Sequence, residues 1–172
     1  MRIIVPSAYS ASTVEHDGAP ANLEAHVLAG ALVHYIQGSW GYALSQCVTG
    51  DWYKLWIHLI SADETIALHF YNTQKNFLLL VMPDSNGMIA EDKPGDNFIF
   101  PAPGFARLVF APGSREYKAR FKKSSEVFIF YISLSFQFVE QTLVHFKHRQ
   151  DDLAPVFVMR HPKWLKALLV LG

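Results

Sequence analysis

The sequence predicts a mainly β protein, a sandwich or barrel of short strands closed by two or three C-terminal helices. Three observations carry this. Turn-forming residues recur about every ten positions from Leu23 to Ser133, β-branched and aromatic runs fill the intervals, and the apolar period changes from two to about 3.6 after Ser135. The 172 residues suffice for one compact core.

Residues 1–22 hold Pro6, Gly18, Pro20 and several serines, and read as an irregular lead-in with one short strand at Arg2–Val5. The strands then follow as Leu32–Ile36, Tyr42–Val48, Trp52–Ile60, Ile66–Phe70, Phe77–Met82, Phe98–Phe100, Leu108–Phe110, Tyr117–Phe121 and Val127–Leu134. Glu116–Lys122 alternates cleanly: Glu116, Lys118, Arg120 and Lys122 share one face, Tyr117, Ala119 and Phe121 the other. Leu78-Leu79-Leu80-Val81 is apolar on both faces, as in a central strand. On Trp52–Ile60, Tyr53, Leu55, Ile57 and Leu59 form an apolar face expected to be core. Trp52, Lys54, Trp56, His58 and Ile60 form a mixed face with the character of a pocket wall.

Ser135 is the expected N-cap of the first helix, with Phe136, Val139, Leu143 and Phe146 at helical spacing. A second helix is expected over Asp151–Val158, and a third after His161, where Pro162 suits a helix start. The domain reading is therefore a lead-in over 1–22, a β-barrel over 23–134 and a helical segment over 135–172. The last residues, Leu168 to Gly172, lie inside an apolar helical stretch, the pattern expected of a cut through a longer protein.

Composition narrows the function. Charged residues are 17% and the net charge is zero, so no global field steers the chain to nucleic acid or an anionic membrane. The charge is nonetheless polarised. Residues 1–100 carry four bases against ten acids, and residues 101–172 eleven bases against five acids. Either the two halves attract within the fold, or the basic half lies near a polyanion. Cys47 is the single cysteine, which excludes an intramolecular disulfide and a cysteine-cluster metal site. The N-terminal apolar run ends at Pro6, too short for a signal peptide, and the run Val127–Val139 is too short to span a bilayer. The expectation is a cytoplasmic protein with no membrane contact.

Catalytic motifs are absent: no phosphate-binding glycine loop, no HExxH, no GxSxG. Eight histidines are present, yet none forms the HxH pair that places two ligands on one strand face. No catalytic residue, metal ligand or cofactor is expected.

The order of elements resembles the cupin-like N-terminal sensor domain of AraC-type transcription regulators. The segments that carry the resemblance are GDWYKLWIHLI (50–60), ETIALHF (64–70), NFLLLVMPDSNG (76–87), KPGDNFIFPAPG (93–104) and YKARFKKSSEVFIFYISLS (117–135), leading into FQFVEQTLVHF and HPKWLKALLVLG. The resemblance implies a metal-free cupin-like jelly-roll barrel that binds a small-molecule effector, and helices that form a homodimer. It also implies that DNA is bound only through a C-terminal helix-turn-helix domain that this chain lacks. Strand alternation within that frame places the ligand near Trp40, Trp56, His58, His69 and Arg107, and dimerisation on Phe136, Val139, Leu143 and Phe146. Two rival readings share the fold: a stand-alone small-molecule binder, and a metal-dependent cupin enzyme. The second lacks its expected ligands, since His58 has no partner two residues on and Arg107 stands where a histidine is wanted.

Overall fold

The computed structural model describes residues 2–73, 76–81, 88–90, 105–111, 115–135, 138 and 157–160. The chain is mainly β, with two antiparallel sheets. The strands are β1 (Arg2–Ile4), β2 (Val14–Asp17), β3 (Leu32–Gly38), β4 (Gly41–Thr49), β5 (Tyr53–Ala62), β6 (Ile66–Asn72), β7 (Asn76–Val81), β8 (Met88–Ala90), β9 (Phe105–Ala111), β10 (Arg115–Phe121), β11 (Ser125–Leu134) and β12 (Phe157–Arg160). Short 3-10 helices cover Ser7–Ser12 and Ala21–His26.

The larger sheet has the order β12-β9-β7-β11-β5-β4-β3-β2, the smaller β1-β6-β10-β8. From β5 to β11 every successive strand switches sheet. The hydrophobic core lies between the sheets: Ile3, Ile66, Leu68, Phe70, Ala119 and Phe121 from the smaller face Ile36, Ala43, Ile60, Val127, Ile129 and Leu80 from the larger. The alternation of β10 is as the sequence predicts, with Glu116, Lys118 and Arg120 exposed and Ala119 and Phe121 fully buried. β11 alternates as strictly, burying Ser125, Val127, Ile129 and Tyr131 while Glu126 and Phe128 are exposed.

Three sequence expectations change. The lead-in contains β2 as well as β1, because four residues there complete the edge of the larger sheet against β3. The mixed face of β5 is the inner one: Trp56, His58 and Ile60 point between the sheets. The apolar face with Ile57 and Leu59 is the outer one, and it is buried locally by Leu23 of the second 3-10 helix, which packs with Tyr35, Leu44 and Leu59. Both faces of β5 are thus covered, so apolarity alone did not mark the interior. Finally, Phe157 and Val158, expected to end a helix, belong to β12 and pair with Leu108 and Arg107 of β9. The aromatic and β-branched pair Phe157-Val158 favours extended pairing.

The helix expected to start at Ser135 lies almost wholly outside the described residues. The Phe138 N–H donates to Ser135 Oγ at 3.2 Å. Residues 136, 137, 139–156 and 161–172, with the dimer positions Phe136, Val139, Leu143 and Phe146, lie outside the described residues, as does the strand expected at Phe98–Phe100.

Candidate ligand site

The site is built on two adjacent cross-strand rows of the larger sheet. One row runs Leu32, Cys47, Trp56, Tyr131, Leu80, Arg107 across β3, β4, β5, β11, β7 and β9. The other runs His34, Ser45, His58, Ile129. Trp56 and His58 are two residues apart on one strand, so they share a face. That face is the interior, because the His58 ring meets Phe70 of the opposite sheet edge-on, with centroids 5.9 Å apart at 70°.

Burial along β5 falls toward the Tyr53 end. Tyr53 and Lys54 are exposed, Trp56 is half-buried, and Ile57 through Ile60 are buried. That less buried end carries the β4–β5 turn and the end of β11. There the Ser135 N–H donates to the Trp52 carbonyl at 2.9 Å, and the Phe138 ring stacks on Trp52 at 4.9 Å and 16°.

Three rings form the wall. Trp56 lies 12° from the plane of Tyr131 at 6.1 Å and 24° from that of His58 at 6.0 Å, and His58 and Tyr131 are 5.6 Å apart. His58 is fully buried, and its Nδ1 shares a hydrogen bond with Ser45 Oγ at 2.8 Å. Burial lowers the His58 pKa to about 3, because the charged form would have to leave water. The imidazole is therefore neutral at pH 7. Burial, and secondarily the neighbouring Cys47, pushes the Tyr131 phenol well above its ordinary value, so it keeps its proton.

Two polar atoms at this wall have no partner among the described residues: His58 Nε2 and Tyr131 Oη. A buried polar group left unpaired costs roughly 1–3 kcal/mol, so native interiors seldom keep one without a use. Here two stand on neighbouring rings, one strand apart. The neutral imidazole offers Nε2 as a donor or an acceptor according to its tautomer, and the phenol offers both functions. The arrangement suits hydrogen bonding to a guest.

The five residues expected to line the ligand do not gather together. Trp56 and His58 do. Trp40 is fully buried at the opposite, closed end, where it caps the core beside Ala43, Ile60 and Ala62. Its Nε1–H donates to Thr13 Oγ1 at 3.4 Å, and its carbonyl accepts from the Asp63 N–H at 2.8 Å. His69 alternates with the buried Leu68 and Phe70 on β6 and so faces away from the core; its Nδ1 pairs with the Glu116 carboxylate on β10. Arg107 stands in the Trp56–Tyr131 row by register; its side chain is outside the described residues.

Sequence reasoning missed Tyr131 and Ser45. The β11 alternation already placed Tyr131 with Val127 and Ile129, but nothing local tied that face to the one bearing His58. Two surface grooves, of about 390 and 230 Å³, contain none of the five expected residues. Among the described residues no group of three or more His, Cys, Asp or Glu is placed to hold a metal ion, and no helix is long and apolar enough to cross a membrane. No family model, curated protein or solved structure matches the chain.

Proposed function

We propose that this chain is the small-molecule-sensing and dimerising domain of an AraC-type transcription regulator. The observation that carries the ligand-binding part is the pair of buried, unpartnered atoms, His58 Nε2 and Tyr131 Oη, beside the half-buried Trp56. The sheet order supports the cupin-like jelly-roll reading. Strands β5, β11, β7 and β9 lie side by side facing β6, β10 and β8, as two nested Greek keys require. The regulatory part draws on the order of elements and on one contact. The residue that caps the helical segment, Ser135, is bonded to the backbone of Trp52, on the turn that leads into the site's strand. A guest that moved Trp56 would act on the base of that segment through β5.

The test is Tyr131→Phe in the purified chain. Removing an unpartnered buried hydroxyl leaves the ligand-free protein as stable, or stabilises it by up to about 1 kcal/mol. Urea denaturation measures this. A loss above about 1 kcal/mol gives the hydroxyl a structural partner and removes the basis for a guest there. The regulatory part is tested by deleting the gene and profiling transcripts. A regulator shifts a defined set of transcripts, whereas the stand-alone small-molecule binder leaves them unchanged.

A further inference from the structure

We propose that the guest of the His58–Tyr131 wall is a flat, uncharged molecule that presents one hydrogen-bonding edge, with a neighbouring donor and acceptor as in an aromatic primary amide. This rests on the small-molecule reading above and narrows it to a chemical class.

Three observations select the class. The first is charge. The buried polar residues are Ser45, Gln46, His58, Asn72 and Ser125; no Asp, Glu, Lys or Arg is among the described buried residues. An anion or cation reaching His58 Nε2 and Tyr131 Oη would give up its hydration, because the described charge on that face of β5, Lys54, is exposed at the strand's end and not buried beside them. A neutral guest avoids that.

The second is shape. Trp56 and Tyr131 are within 12° of parallel, and Phe70 stands edge-on to His58. Ring walls of this kind accept a flat face. A polyol carries hydroxyls on all sides, and against these rings most of them would be left unpaired.

The third is the number and character of the polar atoms. The wall supplies two, on adjacent strands of the same sheet. An amide edge matches them: its carbonyl accepts from the Tyr131 O–H, and its N–H donates to His58 Nε2 when the Ser45 hydroxyl donates to Nδ1. Ser45 thereby sets the imidazole tautomer. It is a positioning residue and need not touch the guest.

The experiment compares benzamide, benzoate and myo-inositol on the purified full chain by calorimetry, with Trp fluorescence as a second readout of Trp56. Benzamide and benzoate have nearly the same outline and differ in charge. Benzamide is expected to bind, with benzoate at least about tenfold weaker and inositol weaker still. Tyr131→Phe is expected to weaken benzamide about fivefold or more, and Ser45→Ala to weaken it with the fold intact by circular dichroism. Benzoate binding as tightly as benzamide overturns the uncharged class while leaving a small-molecule site in place. Binding of inositol in preference to benzamide overturns the flat shape. Failure of all three to bind overturns the proposal outright. The broader reading is judged apart from these outcomes, by the stability of ligand-free Tyr131→Phe.

Discussion

His58 shows what one residue takes on when a sheet folds over it. Its ring is fully buried, held by Ser45 on one nitrogen, and neutral because water cannot reach it. The neutral form has a consequence for stability against pH. Folding lowers the His58 pKa from 6.5 to about 3, so between these values the unfolded chain binds a proton that the folded chain does not. Stability contributed by His58 is present above pH 6.5 and is lost as pH falls toward 3, at up to about 1.4 kcal/mol per pH unit. His58→Gln keeps a polar group for Ser45 and removes the titration. Urea midpoints at pH 7, 6, 5 and 4 should therefore fall more steeply for the natural chain than for the variant. Parallel curves would mean that the imidazole is protonated in the folded state.

Elements are held in this protein by small features at their ends. The β3–β4 hairpin turns in two residues, Ser39 and Trp40, and Gly41 leaves the turn at φ +121°. A β-carbon there would lie 2.0 Å from the Ser61 carbonyl oxygen on β5, so backbone would have to move. Gly41→Ala is expected to cost about 2–4 kcal/mol, read by thermal or urea unfolding. The second device is Gln46, buried on the outer face of β4. Its Oε1 accepts from the Leu28 N–H at 2.7 Å and its Nε2 donates to the His26 carbonyl at 2.8 Å, clamping the segment that carries Leu23 onto Leu44 and Leu59. Gln46→Ala strips both backbone groups of their partner. It should cost about 1–3 kcal/mol and speed amide exchange at Leu28 selectively. Exchange that rises uniformly through the sheet would mean that the clamp is not local. Such clamps are hard to read from sequence, because a glutamine between Ser45 and Cys47 has no local partner; both of its partners come from a segment about twenty residues upstream.

For the whole molecule, the question is how the sandwich and the segment after it act together. The helical spacing of Phe136, Val139, Leu143 and Phe146 leads to a homodimer as the expected assembly. Leu143→Asp puts a charge on that stripe and should convert a dimer to a monomer in light scattering, with the β content unchanged by circular dichroism. A variant that stays dimeric moves the interface elsewhere on the chain.

The sequence by itself determined the class, since β-branched and aromatic runs between regular turns leave little choice but strands. It determined the two faces of β10, because charge on alternate residues can be solvated on one side only. Tertiary structure decided which face of β5 became the interior. Both faces are apolar enough to bury, and a period of two separates them without ranking them. It decided that Trp40 closes one end of the sandwich while Trp56 stands at the other, and that His69 points away from His58. Above all it decided that Tyr131 meets His58. That contact depends on β11 pairing with β5 in one register, fixed by hydrogen bonds between residues far apart in the chain. Local pattern says what each strand can bury; only the register, set by the whole sheet, says what it is buried against.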